Sequence, residues 1–195
     1  YVYKKPEEGR RYVIGGDVAE GLQSGDYSTA CVLGHDKEIK ALYRGHIEPD
    51  DYSKMIQALG RWYNIALVAV EFNKDGNWVN TDMRNMGYPN LYVRTVIDDI
   101  TKNETKMYGW VTNKKNRDFA LGESKKHFNS TDMVNCKPLL DELKTFIRNK
   151  RGRPEAANGK HDDVVMSWII GLAILQGKQD IKEEKKTLSW HDSVF

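Results

Sequence analysis

The first part of the chain carries three short apolar runs in quick succession. Each run is bounded by glycine or by polar turn residues, which is typical of strands. Three strands so close together predict an antiparallel meander. We place them at residues 12–17, 28–33 and 39–45.

After the meander the pattern changes to alternating helices and strands. Apolar residues at helical spacing predict a helix from Pro49 and Asp50 to about Tyr63. The continuous apolar run 66–71 is typical of a parallel strand covered on both faces. Further on we predict helices at 76–86, 115–128 and 138–149, a short strand at 91–94, a loop or hairpin at 98–112, and a loop at 149–160 that leads into a final apolar helix. This order predicts an α/β domain with a mixed sheet, an antiparallel flank and helices on both faces.

Composition adds little to this picture beyond the class of protein. The 195 residues are 39% hydrophobic and 30% charged, which suits one globular domain. The net charge of +2 excludes a strongly basic domain, so any nucleic-acid surface must come from local clusters. Cys31 and Cys136 are too few for a disulfide framework or a zinc site, and we expect reduced core thiols. No apolar run is long enough to span a bilayer, so no membrane partner is predicted.

Acidic residues follow two of the predicted strands and open the last helix. Asp17 ends the first strand, Glu71 ends the fourth, and the sequence His161-Asp162-Asp163 precedes the final helix. If the two strands are parallel neighbours, their carboxyl ends meet at one sheet edge, where open α/β sheets place ligands. Taken singly, each acid is more often a turn residue or a helix cap than a catalytic group. Their conjunction favours a shared site.

Carboxylates crowded at one edge repel each other, and bound cations relieve that repulsion. Oxygen ligands of this kind suit Mg²⁺ or Mn²⁺ rather than zinc. A pair of such ions about 3.5–4 Å apart can clamp the attacking and leaving oxygens of a phosphodiester. The pattern therefore predicts a two-ion hydrolase of nucleic acid.

Four segments carry a resemblance to a known family. They are GGDVAEGLQSGDYSTACVL at 15–33, VAVEFN at 68–73, GWVTNKKNRDFAL at 109–121 and GKHDDVVMSWIIGLAI at 159–174. These segments resemble the nuclease domain of tailed-bacteriophage terminase large subunits, which has an RNase H-like fold. The resemblance implies an endonuclease that cuts concatemeric double-stranded viral DNA during genome packaging, with two Mg²⁺ or Mn²⁺ ions and little sequence specificity.

The same resemblance assigns roles to individual residues. It implies that Asp17, Glu71 and Asp163 are the catalytic acids and metal ligands. Asp162 is a further metal ligand, a residue that holds a water molecule, or only the cap of the last helix, and we favour Asp163 as the main ligand. Supporting roles fall to His161, Asp26 and Asn73.

The resemblance also implies partners and a division of the chain. A terminase has an ATPase motor before its nuclease, and no G-x-x-x-x-G-K-[ST] loop occurs here. We therefore interpret residues 1–10 as a linker from an absent ATPase domain, 11–177 as the nuclease, and 178–195 as a charged flexible tail. The implied partners are that ATPase domain, the small terminase and the portal, in the host cytoplasm.

Two basic clusters are candidates for contacts with DNA phosphates. One lies at 114–117 and the other directly before the His-Asp-Asp sequence. Solvated helix ends and loops would look the same. The candidate DNA-binding residues are Lys74, Lys114, Lys115, Arg117, Arg151 and Arg153.

Three other functions fit parts of the pattern. The same fold and acids occur in a junction resolvase or recombinase-type nuclease, which would prefer branched DNA. An actin-like nucleotide-binding domain also opens with a strand, an Asp and a Gly-rich turn, but needs a second Gly loop and a longer chain. A non-catalytic docking module would use the acids only as caps and would not respond to divalent ions.

Overall fold

The computed structural model describes residues 1–22, 25–97, 104–128 and 136–177. The strands are β1 (Tyr12–Asp17), β2 (Ser28–Gly34), β3 (Ile39–Gly45), β4 (Leu67–Val70), β5 (Val93–Ile97), β6 (Glu104–Tyr108), β7 (Phe146–Arg148) and β8 (Pro154–Ala156). The helices are α1 (Pro49–Trp62), α2 (Lys74–Asn85), α3 (Lys114–Phe128), α4 (Lys137–Thr145) and α5 (Asp163–Gly177). The predicted tail 178–195 lies outside the described residues.

The main sheet has four strands in the order β3-β2-β1-β4. The meander pairs antiparallel, β1 with β2 and β2 with β3, whereas β1 and β4 are parallel. This confirms the predicted mixed sheet with an antiparallel flank. Because β1 and β4 run in the same direction, their carboxyl ends emerge at the same edge of the sheet.

Helices cover both faces of this sheet, as predicted. Successive strand residues point to opposite faces, so Val13 belongs to the core beneath α5 and Ile14 to the core beneath α1 and α2. Helix α5 is buried on nearly every side, by β1, β2, α3 and α4. A helix that is apolar all round is expected in such a central position. No helix within the described part of the chain has the length and apolar character needed to cross a bilayer.

The close approach of α5 to β1 depends on Gly15. A Cβ atom at this position would overlap the carbonyl oxygen of Ser167 and lie 2.5 Å from the amide nitrogen of Gly171. Both are backbone atoms of α5, which cannot move aside as a side chain can. The pair Gly15 and Gly171 therefore sets the distance between the sheet and the helix that carries Asp163.

Gly15→Ala is expected to lower the free energy of unfolding by about 1–3 kcal/mol, the usual cost of overpacking a close-packed core. Gly122→Ala is the matched control, because nothing lies within 4 Å of a Cβ at that position of α3. Alanine is the better helix former, so this control should gain about 0.5–1 kcal/mol. Urea denaturation of both variants measures the two effects. Equal effects in both would contradict the packing argument.

The prediction of one helix over 138–149 is wrong at its second half. Helix α4 ends at Thr145, and β7 then pairs with β8 in a short antiparallel hairpin. Asn149 closes its turn, since the side-chain oxygen accepts hydrogen bonds from the amides of Arg151 and Arg153 (2.8 and 2.9 Å). The predicted loop at 149–160 therefore contains β8. The apolar residues Phe146 and Ile147 continue the helical spacing of α4, and only the pairing partner reveals them as strand.

A second hairpin falls in the segment predicted as a loop or hairpin. Strand β6 pairs antiparallel with β5, from Val93 opposite Tyr108 to Ile97 opposite Glu104. The hairpin alternative is therefore confirmed for residues 104–108, and the predicted short strand 91–94 extends further than expected. The residues between the two strands, 98–103, lie outside the described part.

The first residues of the chain lie along β3. The amino group of Tyr1 donates to the carbonyl of Leu42 (2.8 Å), and the amide of Leu42 donates to the carbonyl of Tyr1 (2.9 Å). Val2 forms an antiparallel bridge with Ala41. Part of the segment interpreted as a linker is thus hydrogen-bonded to the edge of the sheet.

Cys31 and Cys136 are free thiols, and both are buried in the core that contains α5. Burial raises the pKa of the Cys31 thiol and that of the Cys136 thiol. Because the thiolate is the reactive form, both residues are poor nucleophiles and serve packing. The predicted core thiols are confirmed.

Candidate metal centre

Asp17 and Glu71 stand side by side at the carboxyl edge of the sheet. Gly16 and Val70 are partners in the parallel pairing of β1 and β4, and the next residue of each strand is the acid. The amide of Glu71 donates to the carbonyl of Gly16 (2.8 Å), which continues the ladder by one bond. The two carboxyl groups therefore lie next to each other at the end of the ladder, and their proximity contributes to a raised pKa of Asp17.

Burial raises the pKa of Asp17 well above its ordinary value, and the neighbouring acids raise it further. The charge of Glu71 contributes most among the neighbours, followed by the charges of Asp163 and Asp162. The structure therefore brings all four predicted acids within electrostatic range of one another. A group of carboxylates whose charges oppose one another in this way favours either protons or cations.

Asp163 is the first residue of α5 and is buried. One carboxylate oxygen, Oδ2, accepts a hydrogen bond from the amide of Tyr27 (3.0 Å), and its backbone carbonyl accepts one from the hydroxyl of Thr29 (2.8 Å). Burial raises the pKa of Asp163 to about 6, against the opposing effect of the Tyr27 amide. Strand β2 and the loop before it thus hold the start of α5 in place.

His161 and Asp26 lie beside Asp163. The Nδ1 atom of His161 is 3.4 Å from Oδ1 of Asp26 and 3.6 Å from Oδ2 of Asp163. Within the described residues, these three form the group whose ligand atoms all lie within 4.8 Å of one another, a spacing that suits a metal ion. Asp17 and Glu71 are not part of that group. Asp26 and His161 were predicted only as supporting residues. The local sequence around Asp26, Gly-Asp-Tyr, is that of an ordinary turn and gives no indication of a metal ligand.

An open cleft of about 300 Å³ connects these acids. It is lined by Asp17, Asp26 and Asp163, and also by Asn73. Asn73 caps α2, since its side-chain oxygen accepts from the amide of Gly76 (2.7 Å). Asn73 therefore has a structural role as a helix cap, and its supporting role at the site stays a prediction. The cleft gives solvent and ligands access to the carboxylates.

Asp162 is turned away from its own helix. Its Oδ2 atom accepts a hydrogen bond from the amide of Ala156 (3.2 Å) and lies 3.6 Å from Nη2 of Arg117. The alternative that its carboxylate caps α5 is therefore not borne out by these contacts. Asp162 instead connects the β7–β8 hairpin and α3 to the acidic cluster.

Glu142 of α4, and not Asp162, caps the start of α5. Its Oε2 atom accepts hydrogen bonds from the amides of Val164 and Val165 (2.8 and 3.1 Å). This residue is not among the predicted site residues. Its one signal is a charged residue on the apolar side of a helix, three positions after Leu139 and one before Leu143.

The predicted basic residues are not equivalent in the structure. Arg117 is buried, donates to the carbonyl of Pro154 (2.7 Å) and lies beside Asp162, so its guanidinium faces the acids rather than open solvent. Burial, and next the charge of Arg153, lower the pKa of Arg117. The remaining five are exposed, on the first turn of α2, the first turn of α3 and the β7–β8 turn: Lys74, Lys114, Lys115, Arg151 and Arg153. Lys74 lies 3.9 Å from Glu20.

The donor set has a definite chemical preference. Carboxylate oxygens dominate, with one imidazole nitrogen at the side, and oxygen-rich sites of this kind suit Mg²⁺ and Mn²⁺. The acids stand at a sheet edge that is open to solvent through the cleft, so ligand exchange is possible. The arrangement can bind hard divalent cations and present them to an anionic substrate.

Comparison with known proteins identifies the fold. No protein-family model matches this chain, and no curated protein matches it. Among solved structures, the large terminase nuclease from thermophilic phage G20c with bound magnesium is similar, with a TM-score of 0.68 and 21% identity over 88% of this chain and 85% of the other. The same nuclease with bound cobalt gives a TM-score of 0.67, 21% identity and the same coverage.

A second phage protein gives the same result. The nuclease domain of the large terminase from Thermus phage P74-26 is similar with a TM-score of 0.63 and 22% identity, over 87% of this chain and 82% of the other. The match in each case extends over most of both chains. This protein therefore has the RNase H-like fold of the large terminase nuclease domains.

Proposed function

We propose that this protein is a divalent-metal-dependent endodeoxyribonuclease that cuts concatemeric double-stranded viral DNA during genome packaging. The observation that carries the proposal is the convergence of four carboxylates, Asp17, Glu71, Asp162 and Asp163, on the carboxyl edge of the sheet. The fold supports it, because the similar phage proteins are described as terminase nucleases, one of them with bound magnesium.

We assign the metal ligands to Asp17, Glu71 and Asp163, with Asp162 as a further ligand. Two Mg²⁺ or Mn²⁺ ions bound there would activate water and stabilise the leaving 3′ oxygen of the phosphodiester. Asp163 is well suited to the role, because Tyr27 and Thr29 fix its position on one side. Asp26 and His161 lie beside the same carboxylate, at a spacing with which the three residues could together hold an ion.

Arg117 is proposed to act on the site through Asp162. Its guanidinium, held by the carbonyl of Pro154, lies close enough to Asp162 to orient that carboxylate. In this proposal it limits the repulsion among the acids before the ions bind, and its burial leaves contacts with DNA phosphates to the exposed cations.

We propose that the phosphates of the DNA backbone are bound by the exposed cations Lys74, Lys114, Lys115, Arg151 and Arg153. They lie on three segments around the acids, and none of them is arranged to distinguish bases, so cleavage is expected to have little sequence specificity. The whole terminase would supply the ATPase domain, the small terminase and the portal as partners, and the reaction would take place in the host cytoplasm.

The double variant Arg151→Gln/Arg153→Gln is expected to weaken binding to all duplex sequences equally. Each lost phosphate contact should reduce the slope of log K against log salt by about 0.9. Fluorescence anisotropy with two unrelated duplexes, in Ca²⁺ in place of Mg²⁺, measures both effects. The matched control is Arg10→Gln/Arg61→Gln. Arg10 lies just before β1 and Arg61 in the last turn of α1, toward the opposite edge of the sheet. A control with the same loss would contradict the assignment.

The proposal is tested with supercoiled plasmid, incubated with the purified protein and Mn²⁺, Mg²⁺ or EDTA. Nicking and linearisation with the metals but not with EDTA is the expected result. Cleavage confined to branched DNA would replace the proposal with a junction resolvase. No cleavage, together with no change in melting temperature on adding either metal, would leave a docking module in which the acids are structural.

A further inference from the structure

The amides at the start of α5 have no acceptors within their own helix. Glu142 supplies an acceptor from a distant part of the chain. Its Oε2 atom accepts hydrogen bonds from the amides of Val164 and Val165, which lie 22 and 23 positions later in the sequence. The residue is only 7% exposed. A buried carboxylate bound to two backbone amides is a strong, charge-assisted contact, and it fixes the turn of helix that carries Asp163.

The second oxygen of Glu142 faces Arg44 of β3. Oε1 lies 3.6 Å from Nε of Arg44, and the guanidinium of Arg44 lies over the ring of Tyr27 at 3.4 Å from its centre. Tyr27 is the residue whose amide donates to Asp163. Arg44 therefore contacts both supports of Asp163, the side chain that caps its helix and the residue that holds its carboxylate.

We infer that Glu142, with Arg44 as its charge partner, is a positioning residue for Asp163. This inference rests on the proposed function for its catalytic consequence. Glu142 directs the first turn of α5 so that the carboxylate of Asp163 faces the cleft and not the core. We place it outside the contacts with substrate, because it is only 7% exposed and its carboxylate is already bound to two amides of α5. Its loss should therefore affect metal binding and the chemical step, and not the affinity for DNA.

The test compares Glu142→Ala and Glu142→Gln with the wild type. We expect the alanine variant to lose about 10- to 100-fold in Mn²⁺ affinity and in kcat, the usual effect of removing a partner that orients a metal ligand. KM for DNA should stay unchanged. Glutamine keeps an oxygen that can accept from the two amides, so it should recover most of both quantities. A loss of stability alone would not lower kcat and Mn²⁺ affinity, leave KM unchanged and be reversed by glutamine.

Glu123→Ala is the matched control. Glu123 is also a buried glutamate, 4% exposed, but it accepts from Gln176 at the far end of α5 (2.9 Å). It should lower the melting temperature without changing Mn²⁺ affinity. Arg44→Gln is the second test variant for the case in which Glu142→Ala does not fold, and it should lower the same two quantities in the same direction by a smaller factor.

Isothermal titration calorimetry with Mn²⁺ is done without DNA, so the inference and the proposed function fail separately. Unchanged Mn²⁺ affinity and kcat in Glu142→Ala, or in Arg44→Gln if the first does not fold, would overturn the positioning role. Equal losses in Glu123→Ala would overturn it as well. A wild type that binds Mn²⁺ and cuts no DNA would overturn the proposed function alone.

Discussion

Asp17→Asn is expected to abolish metal-dependent cleavage while making the metal-free protein more stable. A metal ion contributes several kcal/mol to such a reaction, and each 1.36 kcal/mol is a factor of ten, so kcat should fall by at least about 1,000-fold. The gain in stability follows from the raised pKa of Asp17, which burial and the charge of Glu71 cause. A neutral amide removes that repulsion and can hydrogen-bond to Glu71.

The measurement is plasmid cleavage in Mn²⁺ together with thermal melting in EDTA at about pH 8. Asp36→Asn is the control, because Asp36 lies in the turn between β2 and β3, at the opposite edge of the sheet from Asp17, and pairs there with Lys40. It should cleave as the wild type does. An Asp17→Asn variant that cuts DNA within about tenfold of the wild type, or melts at a lower temperature in EDTA, would contradict the role given to Asp17.

The stability of the metal-free protein should fall as the pH rises from about 4 to about 7. Burial raises the pKa of Asp163 from 3.8 to about 6 and that of Glu142 from 4.5 to about 7. Between the unfolded and folded pKa values the folded state binds more protons, so each step toward higher pH removes stability. Each of these shifts corresponds to about 3 kcal/mol, fully lost once the pH exceeds the folded pKa.

Mn²⁺ should reverse this trend, because it binds only the deprotonated carboxylates. At a concentration of about 100 times Kd it should add about 2.7 kcal/mol, or about 5–10 °C in melting temperature, near pH 8. At about pH 5 the shift should nearly vanish. Buried His127, whose pKa burial lowers, acts in the opposite sense below pH 6.5, where the unfolded chain gains the proton more readily.

The opposing effect of His127 on stability cancels when the wild type is compared with Asp17→Asn, because His127 is present in both proteins. Thermal melts of the two proteins at about pH 5, 6.5 and 8, each in EDTA and in Mn²⁺, provide the measurement. A Mn²⁺ shift of equal size at all three pH values would show binding that does not use these acids. An equal shift in both proteins would remove Asp17 from the ligand set.

Local patterns predicted the parts of the molecule that depend on local physics. The short apolar runs 12–17, 28–33 and 39–45 form the predicted meander, because strand-forming residues between turn residues have few other low-energy conformations. The continuous run before Glu71 forms the predicted parallel strand. Because β1 and β4 are parallel neighbours, as that prediction required, Asp17 and Glu71 emerge at one edge of the sheet, where the amide of Glu71 donates to the carbonyl of Gly16 (2.8 Å).

The segment 146–156 shows where local patterns fail. Phe146 and Ile147 continue the helical spacing of α4, and nothing within the segment opposes a longer helix. Pairing with Pro154–Ala156 and the closure of the turn by Asn149 stabilise the strand instead. Such pairing energy depends on a partner that a short window of sequence does not contain.

The amino-acid sequence by itself determined the strands of the meander, the buried final helix and the positions of the four acids at element ends, because apolar periodicity and strand ends are local properties. The tertiary structure alone decided what surrounds those acids. It made Glu142 rather than Asp162 the cap of α5, buried Arg117 beside Asp162, and brought Asp26 and His161 to Asp163. These contacts depend on how whole helices and strands pack against one another, and a short window of sequence does not contain that information.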